Sequence, residues 1–109
     1  VSHCLVKGPN NKYAIWSSVV DNFLLIDATL EEAIDFEIND PIYDILAYPG
    51  GAEGLERDTR RGAANIEAKG RSWYWAPTLE EAVKTIIAIH GKSESLQMLR
   101  ECGWLEASK

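Results

Sequence analysis

Asp27-Ala28-Thr29-Leu30-Glu31-Glu32-Ala33-Ile34 returns later in the chain as Ala76-Pro77-Thr78-Leu79-Glu80-Glu81-Ala82-Val83. Each copy is a capping box. The Thr hydroxyl can accept from the third helical amide, and the Glu at that position can reach back to the amide of the Thr. Such a cap stabilises a helix by about 1 kcal/mol. The acids in the first turn also suit the positive end of the helix dipole. The first box opens a helix with Leu30, Ala33, Ile34 and Ile38 on one face, and the second opens one with Leu79, Ala82, Val83 and Ile86. Both stripes have the helical period.

An apolar segment precedes each box: Phe23 to Ile26 before the first, Ser72 to Trp75 before the second. Each reads as the second strand of a hairpin. Tyr13 to Ser17 would pair back across Asp21-Asn22, and Asn65 to Ala68 across Lys69-Gly70, where glycine suits a positive φ. The pattern is a duplicated ββα unit. It predicts an α+β fold: a four-stranded antiparallel sheet packed against two main helices, plus a short linker helix and a C-terminal helix. The expected single domain, 1–109, divides into a first ββα unit (12–40), a short helix with a mobile Gly/Arg loop (41–64), a second ββα unit (65–91) and the last helix (93–104).

The linker helix is read from Asp40-Pro41, an N-cap followed by proline in the first turn. Ile42, Ile45 and Leu46 would share a face, and Pro49-Gly50-Gly51 would end it near Tyr48. Residues 50–64 are the longest polar, Gly-rich stretch and read as an exposed loop. Gly91 stops the second main helix. Ser93 caps the last one, which carries Leu96 and Leu99 and ends at Gly103, with Trp104 placed to pack on Leu99.

A chain of 109 residues, 46% apolar with four Trp, can bury its own core. No apolar run approaches the roughly 20 residues that span a bilayer. The opening VSHCLVKGPN lacks the apolar segment of a secretory leader. Cys4 and Cys102 lie far apart in sequence with no ligand-like spacing, so a reducing, cytoplasmic setting is expected.

Charge is distributed unevenly. Between Lys12 and Arg57 there is no lysine or arginine, yet the stretch holds Asp21, Asp27, Glu31, Glu32, Asp35, Glu37, Asp40, Asp44, Glu53 and Glu56. Several of these suit caps and turns. Glu31, Asp35, Glu37 and Asp44 do not, and Glu31 with Asp35 is a repulsive i,i+4 pair. These four are the candidate contact residues for a partner protein with a basic surface, because such a field speeds encounter with a cation. The arginines that follow could also be an internal counterpart.

A second candidate site combines Arg57, Arg60, Arg61 and Arg71 with Tyr74. Basic groups beside aromatics form single-stranded nucleic-acid platforms. The net charge of -6 weighs against that reading. A third reading is assembly, including a homodimer, through the aromatic segment Trp73-Tyr74-Trp75. No nucleophile elbow, phosphate-cradling glycine loop, EF-hand or zinc motif occurs. No enzyme activity, metal or cofactor is therefore expected. The sequence-level expectation is a small acidic cytosolic binding protein, similar in size and charge to inhibitors carried by phages and mobile elements.

Overall fold

The computed structural model describes residues 3–41, 43–91 and 94–105. Three strands, β1 (His3–Lys7), β2 (Tyr13–Ser17) and β3 (Asn22–Ala28), form an antiparallel sheet in the order β1-β2-β3. Four helices follow: α1 (Leu30–Asn39), α2 (Gly51–Lys69), α3 (Leu79–His90) and α4 (Glu94–Glu101).

Alternation along the strands builds two cores. Leu5, Tyr13 and Ile15 face Ala33 of α1 and Ala63 and Ile66 of α2. Cys4, Val6, Ala14 and Trp16 face Ala82 and Ile86 of α3, and Leu96 and Leu99 of α4. The sheet is thus covered on both faces. That is why every residue of β2 is buried and why the strand reads as a nearly unbroken apolar run.

Two turns set the sheet's shape. Asn10 and Asn11, at φ 60° and 57°, occupy the central positions of a turn closed by the Lys12 amide donating to the Pro9 carbonyl. Positive φ at both positions matches the twist of the flanking strands. The β2–β3 hairpin turns through residues 18–21, with Asp21 at φ 51°; Asn22, expected in the turn, is the first residue of β3 and pairs with Ser17. Asp27, φ 55°, lies where the register between the two strands shifts, a bulge that swings the chain into α1.

Both capping boxes form. Thr29 Oγ1 accepts from the Glu32 amide at 3.1 Å and Thr78 Oγ1 from the Glu81 amide at 3.3 Å, each glutamate returning the bond. α4 ends as the sequence suggests: the Trp104 amide donates to the Leu99 carbonyl and the Gly103 amide to that of Arg100. Trp104 then packs in the same core as Leu99. The Ser93 cap lies outside the described residues.

The duplication fails. The sheet has three strands, not four, and there is no second ββα unit among the described residues. Asn65 to Ala68 belong to α2, and Ser72 to Trp75 form a chain of bends and turns. The expected mobile loop at 50–64 is most of the same 19-residue helix. Gly70 does adopt positive φ (87°), but it ends α2 by donating its amide to the Ile66 carbonyl, where a hairpin turn was expected. A left-handed glycine serves both purposes, so the residue does not discriminate between them.

Asp40-Pro41 carries the same ambiguity. Asp40 closes α1 instead of opening a linker helix, and proline commonly follows a helix end. The described residues from 43 to 50 make successive turns, with the Ala47 and Tyr48 amides both donating to the Asp44 carbonyl. Ile42 lies outside the described residues.

Candidate functional site

The sheet edge at β1 borders a cavity of about 360 Å³. β1 contributes His3, Cys4 and Leu5. α1 contributes Glu37, the turns after it Tyr43 and Tyr48, and α2 Leu55, Asp58, Thr59, Arg61 and Gly62. Trp73 and Trp75, from the segment crossing between the helical layers, complete the lining. A volume near the lower end of the usual range suits a side chain or small head group.

A hydrogen-bonded ladder of rings forms one wall. His3 Nδ1 lies 3.1 Å from Glu37 Oε2, both side chains buried. The Tyr43 hydroxyl also bonds Glu37. The Tyr43 ring meets His3 edge-on at 5.5 Å and Tyr48 edge-on at 5.9 Å. The Tyr48 hydroxyl donates to Asp58 Oδ2 at 2.7 Å. Residues from β1, α1, the turns and α2 are thereby tied together.

The wall sits in a negative field. Burial raises the Glu37 pKa, against the opposing pull of His3. Tyr43 is pushed up by burial and then by Glu37 and Asp40. Tyr48 is pushed up to about 12, by burial first and then by its bond to Asp58. Cys4 is raised to about 12 by burial and by Glu37, which favours the protonated thiol over the reactive thiolate. Cys4 and Cys102 are both free.

Two glycines allow the elements to close around this space. A Cβ on Gly54 would lie 1.9 Å from the Pro49 carbonyl oxygen, so only glycine lets α2 meet the turns that carry Tyr43 and Tyr48. Gly62 lies against Ser72, where an added Cβ would come within 3.3 Å of the serine Cβ. The Asn65 amide fixes the same segment by donating to the Ser72 carbonyl at 2.7 Å.

The structure separates the four acids singled out in the sequence. Glu37 is only 5% exposed and belongs to the cavity wall, so it is not part of the exposed acidic surface. Its place was legible, because it falls seven residues after Leu30 and four after Ala33, on the apolar stripe of α1. Glu31 is exposed but paired with Arg60 at 2.7 Å. Asp35 is exposed and holds the Asn39 amide, and Asp44 is exposed and accepts from the Leu46 amide at 3.1 Å.

The arginines lie on α2 and the segment after it. Arg60 binds Glu31 and Glu56, Arg57 lies 3.5 Å from Asp58, and Arg71 holds both the Ala76 carbonyl and Glu81. Arg61 makes no ion pair among the described residues and lines the cavity. Tyr74 is 94% exposed, between two tryptophans that line the cavity. The sequence reading missed His3, Tyr43, Tyr48 and Asp58. Missing β1 hid His3; Tyr43 and Tyr48 lie on turns where a helix was expected, and Asp58 reaches Tyr48 only because 51–69 is a helix.

Among the described residues no group of three or more His, Cys, Asp or Glu is placed to hold a metal ion, and no helix is long and apolar enough to cross a membrane. No family model, curated protein or solved structure matches the chain.

Proposed function

We propose that this protein is a binding module that docks on a basic surface of a partner protein in a reducing, cytoplasmic setting. The fate of its charges carries the reading. Three of the four arginines considered as contacts are spent internally, on Asp58, on Glu31 and Glu56, and on Glu81. Glu32, Asp35, Asp44 and Glu53 are exposed and make no ion pair among the described residues. The surface therefore offers uncompensated negative charge; of its cations, Lys12, Arg61, Lys69 and Arg100 make no ion pair among the described residues. The net charge of -6 favours a basic protein over nucleic acid, whose phosphates need free cations.

Exposed apolar groups supply what charge alone lacks. Leu46 is 98% exposed between the two cavity tyrosines in sequence, and Tyr74 protrudes between the two cavity tryptophans. Apolar and aromatic anchors of this kind provide most of the affinity at interfaces, with charge contributing rate and specificity.

The test is affinity capture from native cells with wild type and with a variant carrying E32K, D35K, D44K and E53K. A partner captured at low salt should be lost from the variant, and its association rate should fall as salt rises. A partner retained equally by both proteins defeats the proposal. Retardation of oligonucleotides at about 50 mM salt would favour the arginine reading instead. A concentration-dependent mass by light scattering would favour self-assembly through Tyr74 and Trp75.

A further inference from the structure

We infer that the cavity beside β1 is a receptor for one cationic side chain, an arginine of the basic partner. The inference rests on the function proposed above and locates its anchor point. Aromatic walls and carboxylates are combined there in one recess. Tyr43, Tyr48, Trp73 and Trp75 line it, and Glu37 and Asp58 reach it from opposite elements. A guanidinium is planar, weakly hydrated and able to stack on aromatic faces while it bonds a carboxylate.

The charges favour a cation over an anion. Glu37 and Asp58 face the space, and Asp40 acts on Tyr43. Arg61 is the cation that lines it, and the nearby Arg57 is drawn to Asp58. Asp58 already accepts from Tyr48 through Oδ2, while its Oδ1 has only the long 3.5 Å contact to Arg57 Nε. An incoming guanidinium can replace that contact with a shorter one. The volume of about 360 Å³ fits a side chain and leaves the partner's backbone outside the recess.

The experiment is an NMR titration of the intact protein with four probes: the N-acetyl amides of arginine, lysine, citrulline and glutamate. The indole N–H signals of Trp73 and Trp75 report on the cavity. The arginine probe should move both, with citrulline, its neutral isostere, binding at least about ten-fold more weakly, a loss of about 1.4 kcal/mol. Asp58→Asn should weaken the arginine probe about ten-fold, while Glu94→Gln, on α4 and outside the cavity, leaves it unchanged. Asparagine can still accept from Tyr48, and an unchanged circular dichroism spectrum of the variant checks that the fold is kept.

Equal binding of citrulline overturns the inference, as does tighter binding of the glutamate probe through Arg61. Indole signals that move with no probe also overturn it. A parallel titration with polylysine separates this from the broader proposal. Polylysine that binds the acidic surface while the arginine probe leaves the indoles unmoved removes the receptor and spares the docking function; failure of both removes both.

Discussion

His3 Nδ1 and Glu37 Oε2 meet 3.1 Å apart, 34 residues distant in sequence and almost wholly removed from solvent. The pair joins the edge strand to α1 at the floor of the cavity. A buried carboxylate of this kind is held by its partners more than it stabilises the fold, because desolvation offsets much of the attraction.

Truncation and neutralisation at this site should therefore differ. Glu37→Ala leaves His3 and Tyr43 without their acceptor and is expected to cost about 2–4 kcal/mol at neutral pH. Glu37→Gln retains an acceptor and should cost far less. Urea denaturation of both variants measures the difference, and equal losses would show that packing, not hydrogen bonding, governs the site.

The same residue predicts a pH trend. Burial raises the folded pKa of Glu37 above its ordinary 4.5, so the folded state binds this proton more tightly than the unfolded chain. The contribution is full below the unfolded value and is lost as pH rises through the folded one. The stability of wild type relative to Glu37→Gln should accordingly fall as pH is raised from about 4 to 8. Denaturation curves for the two proteins at several pH values give this difference directly; a flat difference contradicts the trend.

The capping boxes should behave in the opposite sense. Bonds to the Thr29 and Thr78 backbone amides lower the pKa of Glu32 and Glu81. Their contribution is present above the ordinary carboxylate value and is lost as pH falls through the lowered one. Thr29→Ala and Thr78→Ala should each cost about 1 kcal/mol at pH 7. Thermal melts of the two single variants and the double variant test this, with near-additive losses expected because the caps lie on opposite layers.

Gly54→Ala places a methyl group inside contact distance of the Pro49 carbonyl. Backbone must move to accept it, at about 1–3 kcal/mol. The displaced turns carry Tyr43 and Tyr48, so the Tyr48–Asp58 bond should weaken as well. Near-ultraviolet circular dichroism reports the tyrosine environment, and an unaltered spectrum would show that the turns stay in place.

Thiol reactivity should divide the two cysteines. Cys4 is buried and its pKa is raised to about 12, while Cys102 is half-buried near the end of α4. Iodoacetamide at pH 8 should label Cys102 first and Cys4 only on unfolding, as read by peptide mass spectrometry.

Local chemistry alone fixed several elements. Thr29 with Glu32 and Thr78 with Glu81 start their helices because a capping box satisfies its own amides without distant help. Tyr13–Ser17 and the strand after Asp21 pair as a hairpin, as their apolar character and the intervening turn residues suggest. Gly103 and Trp104 end α4 by the same kind of local bonding.

Tertiary structure decided the rest. Leu55, Gly62, Ala63 and Ile66 do carry a helical stripe on α2, but the small residues make it nearly invisible as an apolar face. Their value appears only when Gly54 meets Pro49 and Gly62 meets Ser72, contacts that exist after the chain has folded back. Gly70 and Asp40-Pro41 each satisfy two local grammars, and the packing of α2 on β1 selects between them. The cavity is the furthest removed from sequence. His3, Glu37, Tyr43 and Asp58 come from separate elements, and no local pattern can announce a site that only long-range packing assembles.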